Sequence, residues 1–160
     1  MSIIQSSKGS RDIIIDGGDG DDIIDYRGLT STSPYSRTRG KDINVYGGEG
    51  DDTIKISGLR FDDSTMFHGG NGDDFIDFME IPKANNTEVF GDEGGDTIRF
   101  FGGYATVSKE QSKLVSAVRE SPDRVILTFG AYTLNGVGYT QQVGLNGIEK
   151  ILFGTSDLAL

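Results

Sequence analysis

The sequence predicts an all-β fold: a β-solenoid of stacked short strands with a C-terminal β-rich cap that has room for one short helix. Three observations lead there. A nine-residue segment recurs four times, at Gly17–Asp25, Gly47–Lys55, Gly69–Asp77 and Gly91–Arg99, with the shared core Gly-Gly-x-Gly-x-Asp-x-Ile. Short alternating apolar stretches flank every copy. The chain is rich in glycine (24 residues) and acid, and only 35% hydrophobic, which leaves a thin core for 160 residues.

The flanking stretches align residue by residue. Two positions before the first glycine stand Ile15, Val45, Phe67 and Val89, and four before it Ile13, Ile43, Thr65 and Thr87. Inside the segment the apolar anchor is always isoleucine, at Ile24, Ile54, Ile76 and Ile98, followed two residues on by Tyr26, Ile56, Phe78 and Phe100. A period of two is that of a strand with one face buried. Each repeat therefore reads as strand, Gly-Asp loop, strand. A unit of this kind buries its apolar face only against its neighbours, so copies stacked in register pile isoleucine on isoleucine inside and aspartate near aspartate at one edge.

Glycines at the first, second and fourth loop positions allow sharp turns at φ values that other residues avoid, and so turn main-chain carbonyls inward. The sixth-position acids Asp22, Asp52, Asp74 and Asp96 add charge. A hard cation such as calcium takes about six to eight oxygens at about 2.3–2.6 Å from such donors. The candidate metal-binding residues are Gly18, Asp19, Gly20 and Asp22 in the first loop and Gly48, Glu49, Gly50 and Asp52 in the second. Gly70, Asn71, Gly72 and Asp74 follow in the third, and Glu93, Gly94 and Asp96 in the fourth. Metal-free acidic hairpin turns are the plain alternative, although turn chemistry does not require aspartate and isoleucine in one register four times over. The loops resemble the calcium-binding nonapeptide of the repeats-in-toxin (RTX) family. That resemblance implies a right-handed parallel β-roll with stacked calcium-binding Gly-Asp loops.

Spacing departs from that family. First glycines at 17, 47, 69 and 91 give intervals of 30, 22 and 22, where family repeats follow one another without gaps. Calcium is then expected along a single edge, about three ions between the four loops, with the opposite edge metal-free. The opposite turns are longer and variable. The longest, 26–41, carries Arg27, Arg37, Arg39 and Lys41 with Tyr26 and Tyr35 and no acid. It reads either as a site for an anionic polysaccharide or cell-surface partner, or as a solvated loop whose cations offset nearby acids. In the fourth loop Asp92 replaces the second glycine and Gly95 takes position five. That loop is expected to bind its ion more weakly or only to complete the preceding site.

The formal net charge is −10, and residues 1–103 hold 20 acids against 10 bases while residues 104–160 hold 5 of each. All of the excess sits on the repeat region, where self-repulsion opposes compaction until cations arrive. The sign disfavours nucleic acid. Cysteine is absent, so a metal rather than a disulfide would staple the fold. Met1–Asp16 lacks the pattern of an N-terminal signal peptide, and no stretch approaches a membrane span.

Repeats give way to a cap after Gly102-Gly103, dividing the chain into 1–103 and 104–160. Ser108 with Gln111 suggests a helix-capping box, and Leu114, Val115 and Val118 suit one face of a short helix ended by Pro122; a strand over 113–118 is the alternative reading. Arg124–Phe129 and Tyr139–Val143 alternate as strands joined by a turn at Asn135-Gly136. Leu145–Phe153 resembles the segment with which RTX rolls finish, and Asp157-Leu158-Ala159-Leu160 the uncleaved C-terminal signal of type I secretion substrates. An enzyme is not expected. His68 is the lone histidine, the glycine-rich loops lack a phosphate-binding Lys-Ser/Thr ending, and no nucleophile elbow is present. The resemblance implies a secreted, extracellular or cell-surface calcium-binding protein exported by type I machinery. The alternatives are an adhesin, surface-layer or polysaccharide-binding module with structural calcium, or the C-terminal module of a larger secreted enzyme such as a serralysin-like protease or an alginate epimerase.

Overall fold

A computed structural model describes residues 12–27, 42–57, 64–80, 86–102, 113–134 and 137–158. The fold is all-β, with thirteen strands and no helix among the described residues. The repeat region supplies β1 (Asp12–Asp19), β2 (Ile23–Arg27), β3 (Asp42–Glu49), β4 (Thr53–Ser57), β5 (Ser64–Asn71), β6 (Phe75–Phe78), β7 (Asn86–Glu93) and β8 (Thr97–Phe100). Odd strands lie in one sheet and even strands in the other, each pairing in parallel with its equivalent in the next repeat. The uneven intervals leave no slip. Ile13, Ile43, Thr65 and Thr87 share one register, as do Ile24, Ile54, Ile76 and Ile98. Each odd strand with the following even strand is called a layer below.

Alternation places the apolar columns between the sheets. Ile43, Val45, Ile54, Phe67, Ile76, Val89, Ile98 and Phe100 are fully buried and belong to one core cluster. Phe67 meets Phe78 of the other sheet edge-on at 5.5 Å, and Phe78 stacks on Phe100 at 5.3 Å between layers. Thr65 and Thr87 sit inside because their hydroxyls satisfy each other at 3.1 Å.

The expected short helix is not what forms at 114–121. That segment is a strand, β9 (Leu114–Ser121), antiparallel to β10 (Arg124–Leu134), which in turn pairs with β11 (Val137–Asn146). Leu114 is buried while Val115 and Val118 are more than half exposed, so the three share no face. The open edge of β10 offers β9 a ladder of main-chain partners, and β-branched valines fit a pleated surface. Ser108, Gln111 and the turn at Asn135-Gly136 lie outside the described residues. So do 28–41, 58–63 and 81–85, which hold most of the sequence expected to form the variable opposite turns, including most of the basic loop. Of that loop Arg27 is described, 2.7 Å from Asp25 on an exposed surface.

The chain then returns to the parallel array. The end of β11 pairs with β7, placing Val143 on Thr87 and Leu145 on Val89. β12 (Lys150–Phe153) pairs with β8, placing Ile151 on Ile98 and Phe153 on Phe100. Leu145–Phe153 thus makes a fifth layer, with its own connecting loop at Asn146–Glu149. A final short strand, β13 (Ser156–Asp157), pairs antiparallel with β12. No helix among the described residues is long and apolar enough to cross a membrane.

Candidate cation site at the stacked loops

The four Gly-Asp loops join the two sheets at one edge and stack directly. The second and fourth glycines have positive φ: Gly18 95°, Gly20 95°, Gly48 120°, Gly50 113°, Gly70 116°, Gly72 127° and Gly94 145°. From the second loop onward sterics forbid side chains there as well. A Cβ on Gly48 or Gly70 would strike the carbonyl oxygen of the equivalent glycine one layer back, Gly18 or Gly48. The fourth loop breaks this rule with Asp92, which adopts φ 74° and places its carboxylate 3.0 Å from His68 Nδ1. His68 itself stacks between Tyr46 and Phe90 on the outer sheet face, which accounts for the lone histidine.

Two ladders of carboxylates run through the loops in opposite directions. At position six, Asp22 N–H donates to Asp52 Oδ1 at 2.7 Å, Asp52 N–H to Asp74 Oδ1 at 2.8 Å, and Asp74 N–H to Asp96 Oδ1 at 2.9 Å. At position five the bond points the other way: Asp51 N–H donates to Asp21 Oδ1, Asp73 N–H to Asp51 Oδ1, and Gly95 N–H to Asp73 Oδ1. The consensus leaves position five variable. Its recurrence as aspartate in three of four loops was the available signal.

The position-three residues Asp19, Glu49, Asn71 and Glu93 hold exposed side chains at the loop tips. Their main-chain carbonyls tie the layers, those of Glu49, Asn71 and Glu93 accepting the N–H of Gly20, Gly50 and Gly72 in the layer before, and the Asn71 side-chain amide donates to Glu49 Oε1 at 2.9 Å. The sixth-position aspartates are the buried members, each no more than 5% exposed. Asp52 Oδ2, Asp74 Oδ2 and Asp96 Oδ2 are buried with no hydrogen-bond partner. Each lies beside the first glycine of its own loop and a carbonyl from the next layer. A Cβ on Gly47 would strike both Asp52 Oδ2 and Gly69 O, and one on Gly91 would strike both Asp96 Oδ2 and Gly147 O.

Burial is the main cause that raises the Asp52, Asp74 and Asp96 carboxyls, and neighbouring acids add to it. Asp74 is pushed up to about 7, with Asp96, Asp52 and Asp51 as the like charges. A carboxylate so placed is electrostatically unsatisfied. Among the described residues no group of three or more His, Asp or Glu side chains converges on one point. What comes together at each site is one carboxylate oxygen and one main-chain carbonyl, all-oxygen donors of the kind a hard, tolerant cation takes and not those of zinc.

The fifth layer repeats the pattern with different residues. Asp96 N–H donates to Glu149 Oε2 at 2.7 Å, as the earlier aspartates do to the next aspartate. Glu149 stands two residues before Ile151 as Asp96 stands two before Ile98, a spacing legible in the sequence. No family model matches the chain, and no curated protein matches it either.

Proposed function

We propose that this chain is a secreted calcium-binding module of the RTX kind, a right-handed parallel β-roll whose folding is driven by calcium after type I secretion. The single observation that supports it best is the row of buried carboxylate oxygens with no partner, at Asp52, Asp74 and Asp96. Leaving a buried carboxylate oxygen unpaired costs several kcal/mol, on the order of the whole stability of a small domain. A cation beside each one removes that cost. The lowering of free energy on binding is then folding free energy. Calcium, when bound, supplies positive charge between layers. The chain supplies the sixth-position carboxylates and the carbonyls of the stacked glycines.

A net charge of −10 keeps the ion-free chain expanded, which suits export in an unfolded state and folding where calcium is plentiful. The reading is that of a structural, ion-dependent module without catalytic chemistry. Far-UV circular dichroism during a calcium titration tests it. Strand signal is expected to grow with calcium and to fall in excess chelator. An identical spectrum and melting temperature in both would overturn it.

A further inference from the structure

Resting on that reading, we infer that the cap builds a cation site of its own, held by Asp96 Oδ2, the Gly147 carbonyl and the Glu149 carboxylate. Nothing in the cap loop has the Gly-Gly-x-Gly-x-Asp pattern. The step from Asn146 to Lys150 spans four residues where the equivalent step from Phe90 to Thr97 spans seven. The donors nevertheless arrive at the same places. Asp96 Oδ2 is buried and unpartnered like its counterparts in layers two and three. The missing Cβ of Gly91 leaves that oxygen facing Gly147 O, as the missing Cβ of Gly47 leaves Asp52 Oδ2 facing Gly69 O. Glu149 closes the ladder from Asp96 N–H at 2.7 Å, and the Glu149 and Lys150 N–H groups return to Asp96 O at 3.2 and 3.1 Å. A glutamate reaches one methylene further than aspartate, which suits a loop that is three residues shorter.

An ion held there joins the last repeat to the cap, so occupancy of this junction locks β11 and β12 onto β7 and β8. It also gives the edited fourth loop a complete site on its far side. The test is isothermal calorimetry with calcium on the wild type and Glu149→Gln, which keeps an acceptor for Asp96 N–H and removes the charge. One ion fewer is expected, or one ion weakened by about tenfold or more, with the others unchanged. Equal ion number and affinities in the two proteins overturn the inference and leave the proposed function standing. A wild type that binds no calcium overturns both.

Hydrogen exchange on the wild type decides the matter without the variant. The Asp96, Glu149 and Lys150 amides are expected to gain protection as calcium is added. Equal protection of these amides in chelator and in calcium, while the amides of Asp52 and Asp74 respond, overturns the junction site alone.

Discussion

Asp74 shows the tension on a single side chain. Its Oδ1 accepts the Asp52 N–H at 2.8 Å, while its Oδ2 is buried without a partner and the carboxyl is pushed up to about 7. Because the folded value lies above the ordinary 3.8, the group favours the metal-free fold at low pH, and this contribution is lost as pH rises through about 7. Asp52 and Asp96 shift in the same direction. In the metal-free protein strand signal is therefore expected to be greatest at about pH 4 and to fall as pH rises to about 7, and saturating calcium to flatten that slope, as circular dichroism across the pH range will show. Asp74→Asn keeps the Oδ1 acceptor and drops the charge. It is expected to retain more strand signal than the wild type in chelator at about pH 8 while weakening calcium about tenfold or more. Destabilisation in both states would mean that the carboxylate serves packing rather than an ion. Gly47→Ala tests the space itself, since its Cβ would occupy the gap between Asp52 Oδ2 and Gly69 O. Calcium affinity should drop, with a loss of about 1–3 kcal/mol in stability measured by denaturant titration.

Among elements, position within the array sets the cost of a change. Ile76 in β6 has β4 on one side and β8 on the other, whereas Ile24 in β2 lies in the last strand of its sheet among the described residues. Ile76→Asn should cost about 3–5 kcal/mol, and Ile24→Asn about 1–3, from lost burial and an unpaired buried amide. Equal midpoints in urea for the two variants would contradict a continuous isoleucine column. The cap is tied to the repeats by a network that crosses β11. Arg124 of β10 holds Glu88 of β7 through two bonds at 2.9 and 3.0 Å, Asn146 joins both, and Gly144 lies beneath because a Cβ there would strike the Glu88 carboxylate. The Arg124 guanidinium holds Glu88 below its ordinary value, so this stabilisation is present above about 4.5 and is lost as pH falls below it. Glu88→Gln should reduce the loss of cap stability in acid, visible as a shallower pH dependence of exchange in β10 and β11.

For the whole molecule the repeat region carries twice as many acids as bases, on a core only one side chain deep from each sheet. Such an array holds together when the charge between layers is neutralised. In excess chelator at neutral pH the chain is expected to lose most of its strand signal, and magnesium to restore it poorly, because magnesium demands tighter octahedral geometry and gives up water reluctantly. Full recovery with magnesium at the same concentration as calcium would point to general charge screening in place of shaped sites.

The sequence by itself determined the register of layers one to four. A strand period of two and a loop that repeats with isoleucine in one place leave the chain a single way to bury its apolar columns, and the buried residues are those the alternation selects. The tertiary structure alone decided which groups answer one another across distance: the second carboxylate ladder, the Arg124 clamp over Gly144, and Glu149 in the place of a fifth aspartate. Those partners lie 22, 36 and 53 residues apart, so although the recurring fifth-position aspartate and the Glu149–Ile151 spacing mark the residues, only the fold pairs them. The same holds for β9, whose apolar residues suit a helix when read alone. It became a strand because the edge of β10 stood open beside it, and unpaired main-chain groups at a sheet edge outweigh the weak preference of eight residues for a helix.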